Sequence, residues 1–321
     1  MRRLSCGLLA LSVALATAAC GASGAEEEAG GDDGLRQVTV GVIPILDVAP
    51  IYLGEQQGIF EEHGLDLEFQ TAAGGAAIVP AVVSGETEIG FSNVTSLMLG
   101  RAQGLDLRAI SAGASSTGDP ESDYGQIVVP SDSDISDVGD LAGRTIAINT
   151  LNNINDTLIR EAVDQAGGDA SSIEFVEIPH PDMNAALEAG QVDAIWQVEP
   201  FLTMARQDGV RDVFALYADV VEDLTVATYF TTGETLESDP ELVEAFTAAI
   251  QESLTYASEH PDETRAVLSE YTDIEQGTIE ELTLPAFPNE INRPAVEQVG
   301  ELGDKWGLFD LEAVDLETML P

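Results

Sequence analysis

Four asparagines stand close together in the stretch AINTLNNINDTL, residues 147–158, directly after an apolar run typical of a strand. They are Asn149, Asn152, Asn153 and Asn155. An amide side chain both donates and accepts hydrogen bonds, so these residues can bind a small polar molecule. The same side chains also form Asx turns and caps where a strand passes into a helix, and this structural alternative stays open for part of the set.

Three further stretches place polar or aromatic side chains at the ends of predicted strands. Asp47 is either the N-cap of the next helix or an acceptor for a ligand. Trp196 offers an aromatic wall to a planar ligand, with a core position as the alternative. Glu199 precedes a proline at a helix start, where the helix dipole alone favours an acid. The candidate ligand-binding residues outside the asparagine stretch are Asp47, Ser92, Asn93, Thr95, Trp196 and Glu199.

None of these four stretches contains Arg, Lys or His, and Asp156 adds a negative charge beside the asparagines. A bare anion would find no cationic partner there. The composition therefore favours a neutral or mildly basic nitrogen-containing molecule, with Asp47 or Glu199 accepting from a ring N–H or an amino group. The loop at 113–125 is predicted to be solvated, with Asp123 or Tyr124 at the rim of the site as the alternative.

Catalysis and metal binding have little support in the sequence. The only cysteines are Cys6 and Cys20, and the three histidines, His63, His180 and His260, are far apart and lack metal-ligand spacing. Neither a Gly-x-Ser-x-Gly elbow nor a phosphate loop occurs. We expect no cofactor and no metal, and we expect only His180 to lie near the site.

The N-terminal region is predicted to be an export signal. Residues 1–20 carry a positive start, a short apolar run and the small-residue ending Thr17-Ala18-Ala19-Cys20. This ending resembles a bacterial lipobox, which predicts lipidation of Cys20, and ordinary cleavage after Ala18 is the alternative. Residues 21–36 are glycine-rich and acidic, as expected of a flexible tether.

The formal net charge is −46, from 58 acidic residues against 12 basic ones. This balance argues against nucleic acids and anionic membranes as partners, because phosphate contacts require Lys and Arg. The acids are spread along the chain, which favours adaptation of an exposed protein to high salt over a surface that attracts cations. We expect contact with a membrane only through the lipid anchor.

From Val38 onward, short β-branched runs alternate with helical periodicity, which predicts an α/β fold with parallel strands. The pattern restarts near Gln126. Residues 84–110 and 189–215 align without a gap at an offset of 105 residues, which indicates two lobes of similar construction. The matched pairs include Gly85 with Gly190, Phe91 with Trp196, Arg101 with Arg206, and Gly104 with Gly209.

The last third adds a strand at 224–233 and several helices, one beginning at Asp239-Pro240. If this tail packs on the first lobe, the chain crosses between lobes twice. The predicted organisation is lobe 1 from 37–125 plus 228–321 and lobe 2 from 126–227, hinged around a cleft.

The sequence resembles the solute-binding proteins of ABC importers for nitrate, sulfonates, taurine and thiamin pyrimidine precursors. The motifs are VGVIPILDVAPIYLGEQQGIFEEHGLDLEFQ, LAGRTIAIN and ALEAGQVDAIWQVEPF. The resemblance implies two Rossmann-like lobes in a type II periplasmic-binding clamshell. It also implies a monomeric extracytoplasmic receptor, lipid-anchored to the membrane, that delivers a small molecule to an ABC permease and its ATPase subunit.

Within that resemblance we favour a pyrimidine-like nitrogen compound as the ligand, with a sulfonate, taurine or nitrate as the alternative. A fungal pyrimidine-precursor synthase of related fold makes an enzyme the alternative from a different class. The absence of a cysteine-rich motif in the predicted mature chain speaks against it. A structural or adhesive protein with an open, ligand-free cleft is the other alternative.

Overall fold

The computed structural model describes residues 34–321. The predicted export signal, Cys20 and most of the acidic tether lie outside these described residues. Within them, no helix is both long enough and apolar enough to span a membrane.

The described chain alternates strands and helices as the sequence predicts. The strands are β1 (Arg36–Val42), β2 (Leu65–Thr71), β3 (Ile89–Asn93), β4 (Leu107–Ser115), β5 (Gly125–Pro130), β6 (Thr145–Ile148), β7 (Glu174–Glu177), β8 (Ala194–Val198), β9 (Val210–Phe214) and β10 (Thr225–Thr232). The helices are α1 (Ala49–Gln56), α2 (Ile59–Glu62), α3 (Gly75–Ser84), α4 (Val94–Ala102), α5 (Ile154–Gln165), α6 (His180–Glu188), α7 (Phe201–Gln207), α8 (Leu216–Val220), α9 (Gly233–Ser238), α10 (Pro240–Glu259), α11 (Pro261–Ala266), α12 (Gln276–Ile279), α13 (Arg293–Lys305) and α14 (Leu316–Met319).

The strands form two five-stranded sheets, with the orders β2-β1-β3-β10-β4 and β7-β6-β8-β5-β9. The prediction of parallel strands holds for β1, β2 and β3 and for β6, β7 and β8. It is wrong for β10 and β5, which run antiparallel to both of their neighbours. The reason is topological, since each of these strands enters its sheet directly after the chain has crossed from the other sheet.

The two segments in which the chain crosses between the sheets are short, and a hydrogen bond joins them. The chain leaves the first sheet after β4 and returns to it with β10, and the backbone N–H of Ser116 donates to the carbonyl of Leu224 (2.9 Å). The exact lobe limits stay a prediction. One apolar cluster runs through both sheets, and a smaller one lies under α6 on the second sheet.

Helix α10 shows how the sequence determines an element. Asp239 accepts from the N–H of Leu242 (3.2 Å) at the helix start, and Pro240 occupies the first turn, as predicted. The predicted apolar face, Leu242, Phe246, Ile250 and Leu254, is buried, and the helix packs on α1 and β4. The tail therefore covers the first sheet.

The internal repeat has a structural counterpart. Its matched glycines follow α3, α4, α6 and α7, and all have positive φ: Gly85, Gly104, Gly190 and Gly209. Phe91 and Trp196 occupy equivalent buried positions in β3 and β8. Arg101 and Arg206 each bind an aspartate that follows the turn, Asp106 and Asp212 respectively. The same strand-to-helix unit is thus built twice.

A polar contact joins the tail to α5, beyond the asparagine stretch at the start of that helix. The only lysine of the sequence, Lys305 at the end of α13, donates to Glu161 (2.6 Å) and Asp164 (3.1 Å) on α5. The indole N–H of Trp306 also donates to Glu161 (3.0 Å). We call Glu161, Asp164, Lys305 and Trp306 the α5–α13 clasp.

Gly90→Ala is expected to lower the free energy of unfolding by about 1–3 kcal/mol, because a Cβ there would lie 2.6 Å from Phe230 and 2.7 Å from Ile78. Denaturant titration measures the change. Gly277→Ala is the matched control, since a Cβ at that helical position meets nothing within 4 Å. Equal stability of wild type and Gly90→Ala would contradict the close packing of β3.

Lys305→Met is expected to destabilise the fold by about 1 kcal/mol, because the nearly buried carboxylate of Glu161 loses its cation. The control is Arg144→Met, which removes an ion pair to the exposed Asp134 and should change stability by less than about 0.5 kcal/mol. Denaturant titrations at low and high salt test the difference, which should shrink as salt rises.

Candidate functional site

The four polar stretches meet between the two sheets. The amide of Leu46 donates to the carbonyl of Glu199 (3.2 Å), and the side-chain amide of Asn153 donates to Ser96 Oγ (3.0 Å). Gly74, in the loop after β2, also lies close to the asparagine stretch, because a Cβ added to it would lie 2.7 Å from Thr150 Oγ1. Loops at the ends of β1, β2, β3, β6 and β8 therefore enclose one site, in line with the general rule for open α/β sheets.

Asp47 is buried in this site and is not a helix cap. Val48 is the N-cap of α1 and makes no side-chain bond, so the N-cap alternative is wrong. Asp47 Oδ1 accepts from the hydroxyl of Tyr124 (3.2 Å), whereas Oδ2 has no partner in the described part of the chain. Burial is the main cause that raises the pKa of Asp47, to about 7.

In the stretch at residues 91–96, one side chain caps a helix and two hydroxyl groups have no hydrogen-bond partner among the described residues. Asn93 accepts from the N–H of Ser96 (3.0 Å) as the N-cap of α4, which is the structural alternative. Ser92 Oγ and Thr95 Oγ1 are fully buried and lack a partner among the described residues. Ser92 presses on the first residue of α3, since a Cβ at Gly75 would lie 1.9 Å from its Oγ. Only a glycine fits there.

Phe91, weighed as core or as a stacking face, has the position of a core residue. It is 1% exposed and packs edge-on against Tyr229, with ring centroids 5.2 Å apart.

The asparagine stretch caps helix α5 and forms a side-chain hydrogen bond within its own turn. Asn153 is the N-cap, accepting from Ile154 N–H (2.8 Å), and Asp156 completes a capping box by accepting from Asn153 N–H (2.7 Å). Asn155 donates to Asn149 Oδ1 (2.8 Å), and Asn152 is exposed with φ of 51°. Asp156 accepts from the N–H groups of Asn152 and Asn153, and Asn153 accepts from that of Ile154, so these three donors are not open to an anion.

The second sheet provides Trp196, which lies in β8, and Glu199, which directly follows that strand. Trp196 is 3% exposed, and its indole N–H has no partner within the described residues. Glu199 is fully buried and accepts from the N–H (3.0 Å) and hydroxyl (2.8 Å) of Thr203 at the start of α7. The carboxylate of Glu199 thus serves the helix start, and its ligand contact stays a prediction.

Tyr217, Tyr229 and Tyr271 are the part of the candidate site that the sequence analysis missed, and Tyr124 was named there only as an alternative. Tyr124 and Tyr217 (centroids 5.8 Å apart) join Trp196, which packs edge-on against Tyr217 at 5.4 Å. The hydroxyl of Tyr229 is buried without a partner in the part of the chain that is described. Burial raises the pKa of Tyr124, Tyr217, Tyr229 and Tyr271, and the charge of Asp47 adds to this effect in all four. We call these four residues the tyrosine cage.

The loop at 113–125 is solvated only in part. Residues 118–122 are exposed, as predicted, whereas Asp123 and Tyr124, the residues of the alternative, are both 0% exposed. Asp123 accepts from Thr117 N–H (3.0 Å), Ser116 Oγ (3.2 Å) and the N–H of Ala218 (3.1 Å), which holds the two crossings together. A buried carboxylate with several donors explains how a polar loop folds inward.

His180 lies at the site as predicted, and it is neutral. Its Nδ1 is 2.8 Å from Gln197 Oε1, and burial lowers its pKa to about 4. With Phe201 it lines a cavity of about 250 Å³ that also touches residues 43–45, 71–73 and 179–181, loops from both sheets. Nowhere in residues 34–321 do His, Cys, Asp and Glu side chains form a group that could hold a metal ion.

Two mixed sheets that enclose buried polar atoms between their loops define a two-lobe binding protein of the periplasmic-binding class. The family model described as NMT1/THI5 like matches residues 46–264, and the chain belongs to this family. A putative binding protein of Brucella abortus (strain 2308) is 21% identical over 231 residues, which cover 71% of this chain and 69% of that protein.

Solved structures share the fold. The alkanesulfonate-binding protein SsuA from Xanthomonas axonopodis pv. citri, bound to MOPS, matches with a TM-score of 0.74 at 17% identity, over 89% of this chain and 98% of that one. The periplasmic nitrate-binding protein NrtA from Synechocystis PCC 6803 matches with a TM-score of 0.76 at 11% identity, over 89% of this chain and 86% of that one. The predicted fold class is confirmed.

Asp47→Asn is expected to change how stability depends on pH. The folded state holds the Asp47 proton more tightly than the unfolded chain, whose pKa is near 3.8, so this carboxyl's contribution to stability falls as pH rises from 3.8 to about 7. Such a difference corresponds to on the order of 4 kcal/mol. Denaturant titrations of the ligand-free protein from pH 4 to pH 8 should show that the free energy of unfolding of the variant increases relative to that of wild type as pH rises.

Ser131→Ala, an exposed substitution that removes no titratable group, is the control for this titration, and its stability difference from wild type should be the same at every pH. A constant difference for Asp47→Asn as well would show that Asp47 keeps an ordinary pKa.

Proposed function

We propose that this protein is the extracytoplasmic substrate-binding component of an ABC importer. It captures a small polar molecule between its lobes and delivers it to the permease, which the ATPase subunit drives. The family, the fold and the ligand-binding functions named for SsuA and NrtA support this proposal. Lobe limits at 37–125 plus 228–321 and 126–227, and a lipid anchor at Cys20, belong to the same proposal.

One observation favours ligand capture over a structural or adhesive role. Buried polar atoms normally have hydrogen-bond partners, yet Asp47 Oδ2, Ser92 Oγ, Thr95 Oγ1, Trp196 Nε1, Thr228 Oγ1 and Tyr229 OH have none among the described residues. Five of them belong to the first sheet and the elements connected to it, and Trp196 belongs to β8 of the second sheet. A bound molecule that supplies donors and acceptors would satisfy them, which is a reason for such atoms to be kept in a core.

For the ligand we favour a pyrimidine-like nitrogen compound. Trp196 and the tyrosine cage provide flat apolar surfaces, and Asp47 provides an acceptor. Sulfonate, taurine or nitrate is the second candidate, supported by the functions named for SsuA and NrtA. The neutral His180 and the acid-capped start of α5 weigh against an anion at those two positions.

A thermal-shift screen followed by calorimetry with 4-aminopyrimidine, ethanesulfonate, taurine and nitrate tests both levels of the proposal. We expect 4-aminopyrimidine to raise the melting temperature and the three anionic or zwitterionic probes to have little effect. A clear rise with an anion and none with the pyrimidine would reject the pyrimidine-like ligand. It would still support the proposed receptor function. No rise with any of the four would count against the receptor itself.

Ser92→Ala should weaken the binding of the stabilising probe roughly threefold to tenfold, the effect of one lost hydrogen bond. Thr87→Val is the matched control, because Thr87 Oγ1 is likewise buried without a partner in the described residues but precedes β3, at the opposite end of that strand from Ser92. Equal effects of the two substitutions on affinity would place the ligand elsewhere.

A further inference from the structure

The second carboxylate oxygen of Asp47 poses a specific problem. Asp47 is 4% exposed, and only Oδ1 is bonded, to Tyr124. A carboxylate that is buried with one free oxygen is costly unless a donor or a cation reaches it. Among the described residues, no ion pair or hydrogen bond brings an arginine, lysine or histidine to this side chain.

The groups around Asp47 carry negative or no charge. Those that face it are Asp123 and Tyr124 from the segment before β5, Tyr217 from α8, Tyr229 from β10 and Tyr271 after α11, with Tyr52 stacked on Tyr271 at 4.0 Å. Burial also raises the pKa of Asp123. The electrostatic potential at this end of the site therefore favours a positive group.

Aromatic rings add to this preference. A cation that lies over the face of Tyr or Trp is attracted by the ring quadrupole, and the attraction grows when water is excluded. Tyr124, which bonds to Asp47, lies 5.8 Å from Tyr217, and Tyr217 lies 5.4 Å from Trp196, centroid to centroid. A run of three packed aromatic rings therefore begins at this carboxylate. Protein sites that bind ammonium groups through aromatic rings use the same physics.

Resting on the proposed receptor function, we propose that the ligand presents a positively charged nitrogen that carries at least one N–H, an ammonium or amidinium group, to Asp47 inside the tyrosine cage. The N–H donates to Oδ2. Trp196 Nε1, which can only donate, then faces an acceptor atom elsewhere on the same ligand. The ligand class is thus a small organic cation with a hydrogen-bond acceptor.

Binding also moves a proton. With its pKa raised to about 7, Asp47 is partly protonated in the ligand-free protein at neutral pH. An arriving cation stabilises the carboxylate, so the carboxyl proton leaves to the solvent as the cation enters. The charge of the buried cage therefore changes little during this exchange.

Calorimetry with matched probes tests the inference: 5-(aminomethyl)pyrimidine against 5-(hydroxymethyl)pyrimidine, and benzamidine against benzamide. In each pair the first member is a cation and the second is its neutral counterpart of similar shape. We expect the cation to bind at least tenfold more tightly, and to release protons at pH 7 when buffers of different ionisation enthalpy are compared. Neutral members that bind as tightly as the cations would overturn the inference.

Asp47→Asn should lower the affinity for the cations at least tenfold and change that for the neutral probes less than threefold. Thr87→Val is the control, and it should preserve the ratio within each pair. The comparison of cation and neutral probe on wild type needs no variant, so the inference can be tested even if Asp47→Asn folds poorly.

Different experimental outcomes would reject the cationic ligand and the receptor function. Binding of ethanesulfonate or nitrate with no binding of either cation would reject the cationic ligand and keep the receptor. No binding of any cation, neutral probe or anion would reject both.

Discussion

The burial of the Asp47 carboxyl, with one oxygen bonded to Tyr124 and the other free, is the constraint on which the site depends. Asp47 follows β1 of the first sheet, and Tyr124 precedes β5 of the second. Their hydrogen bond exists only while the two sheets are held together. In the proposed receptor, a ligand that bonds to the free oxygen would therefore bind beside a contact that joins the two sheets.

The large acidic content has a local explanation as well as a global one. Aspartates cap many helix starts: Asp137, Asp156, Asp169, Asp239, Asp310 and Asp315 accept backbone N–H groups there or complete a capping box. An anion at a helix start is favoured by the dipole as well as by the hydrogen bond. Part of the negative charge is therefore structural, and adaptation of the remaining acidic residues to high salt stays a prediction.

Local sequence signals predicted the elements well. The glycines at 85 and 190, the proline after Asp239 and the apolar face of α10 act through neighbouring residues, which a sequence displays directly. The antiparallel insertion of β5 and β10 was missed, because the direction of a strand depends on where the chain crosses and not on its residues. The alternation of hydrophobic residues is the same in both directions.

The site was predictable in location and less so in composition. Strand ends pointed to Asp47, Ser92, Thr95 and Trp196, since loops at such ends face each other in this kind of fold. The roles of Asn93 and Asn153 as caps could be weighed but not decided, because one side chain suits both purposes. Tyr217, Tyr229 and Tyr271 come from distant elements and carry no local pattern, so only the folded chain brings them to Asp47.

The two tryptophans of the sequence, Trp196 and Trp306, lie in separate places in the structure. Trp196 lies in the apolar surroundings of the site, next to Tyr217, and Trp306 belongs to the α5–α13 clasp, beside a lysine and a carboxylate. Their indole rings therefore have different environments. Intrinsic fluorescence of this protein would contain two spectrally distinct signals, one from the binding site and one from the clasp, and replacing either tryptophan with phenylalanine would isolate the other without an added dye.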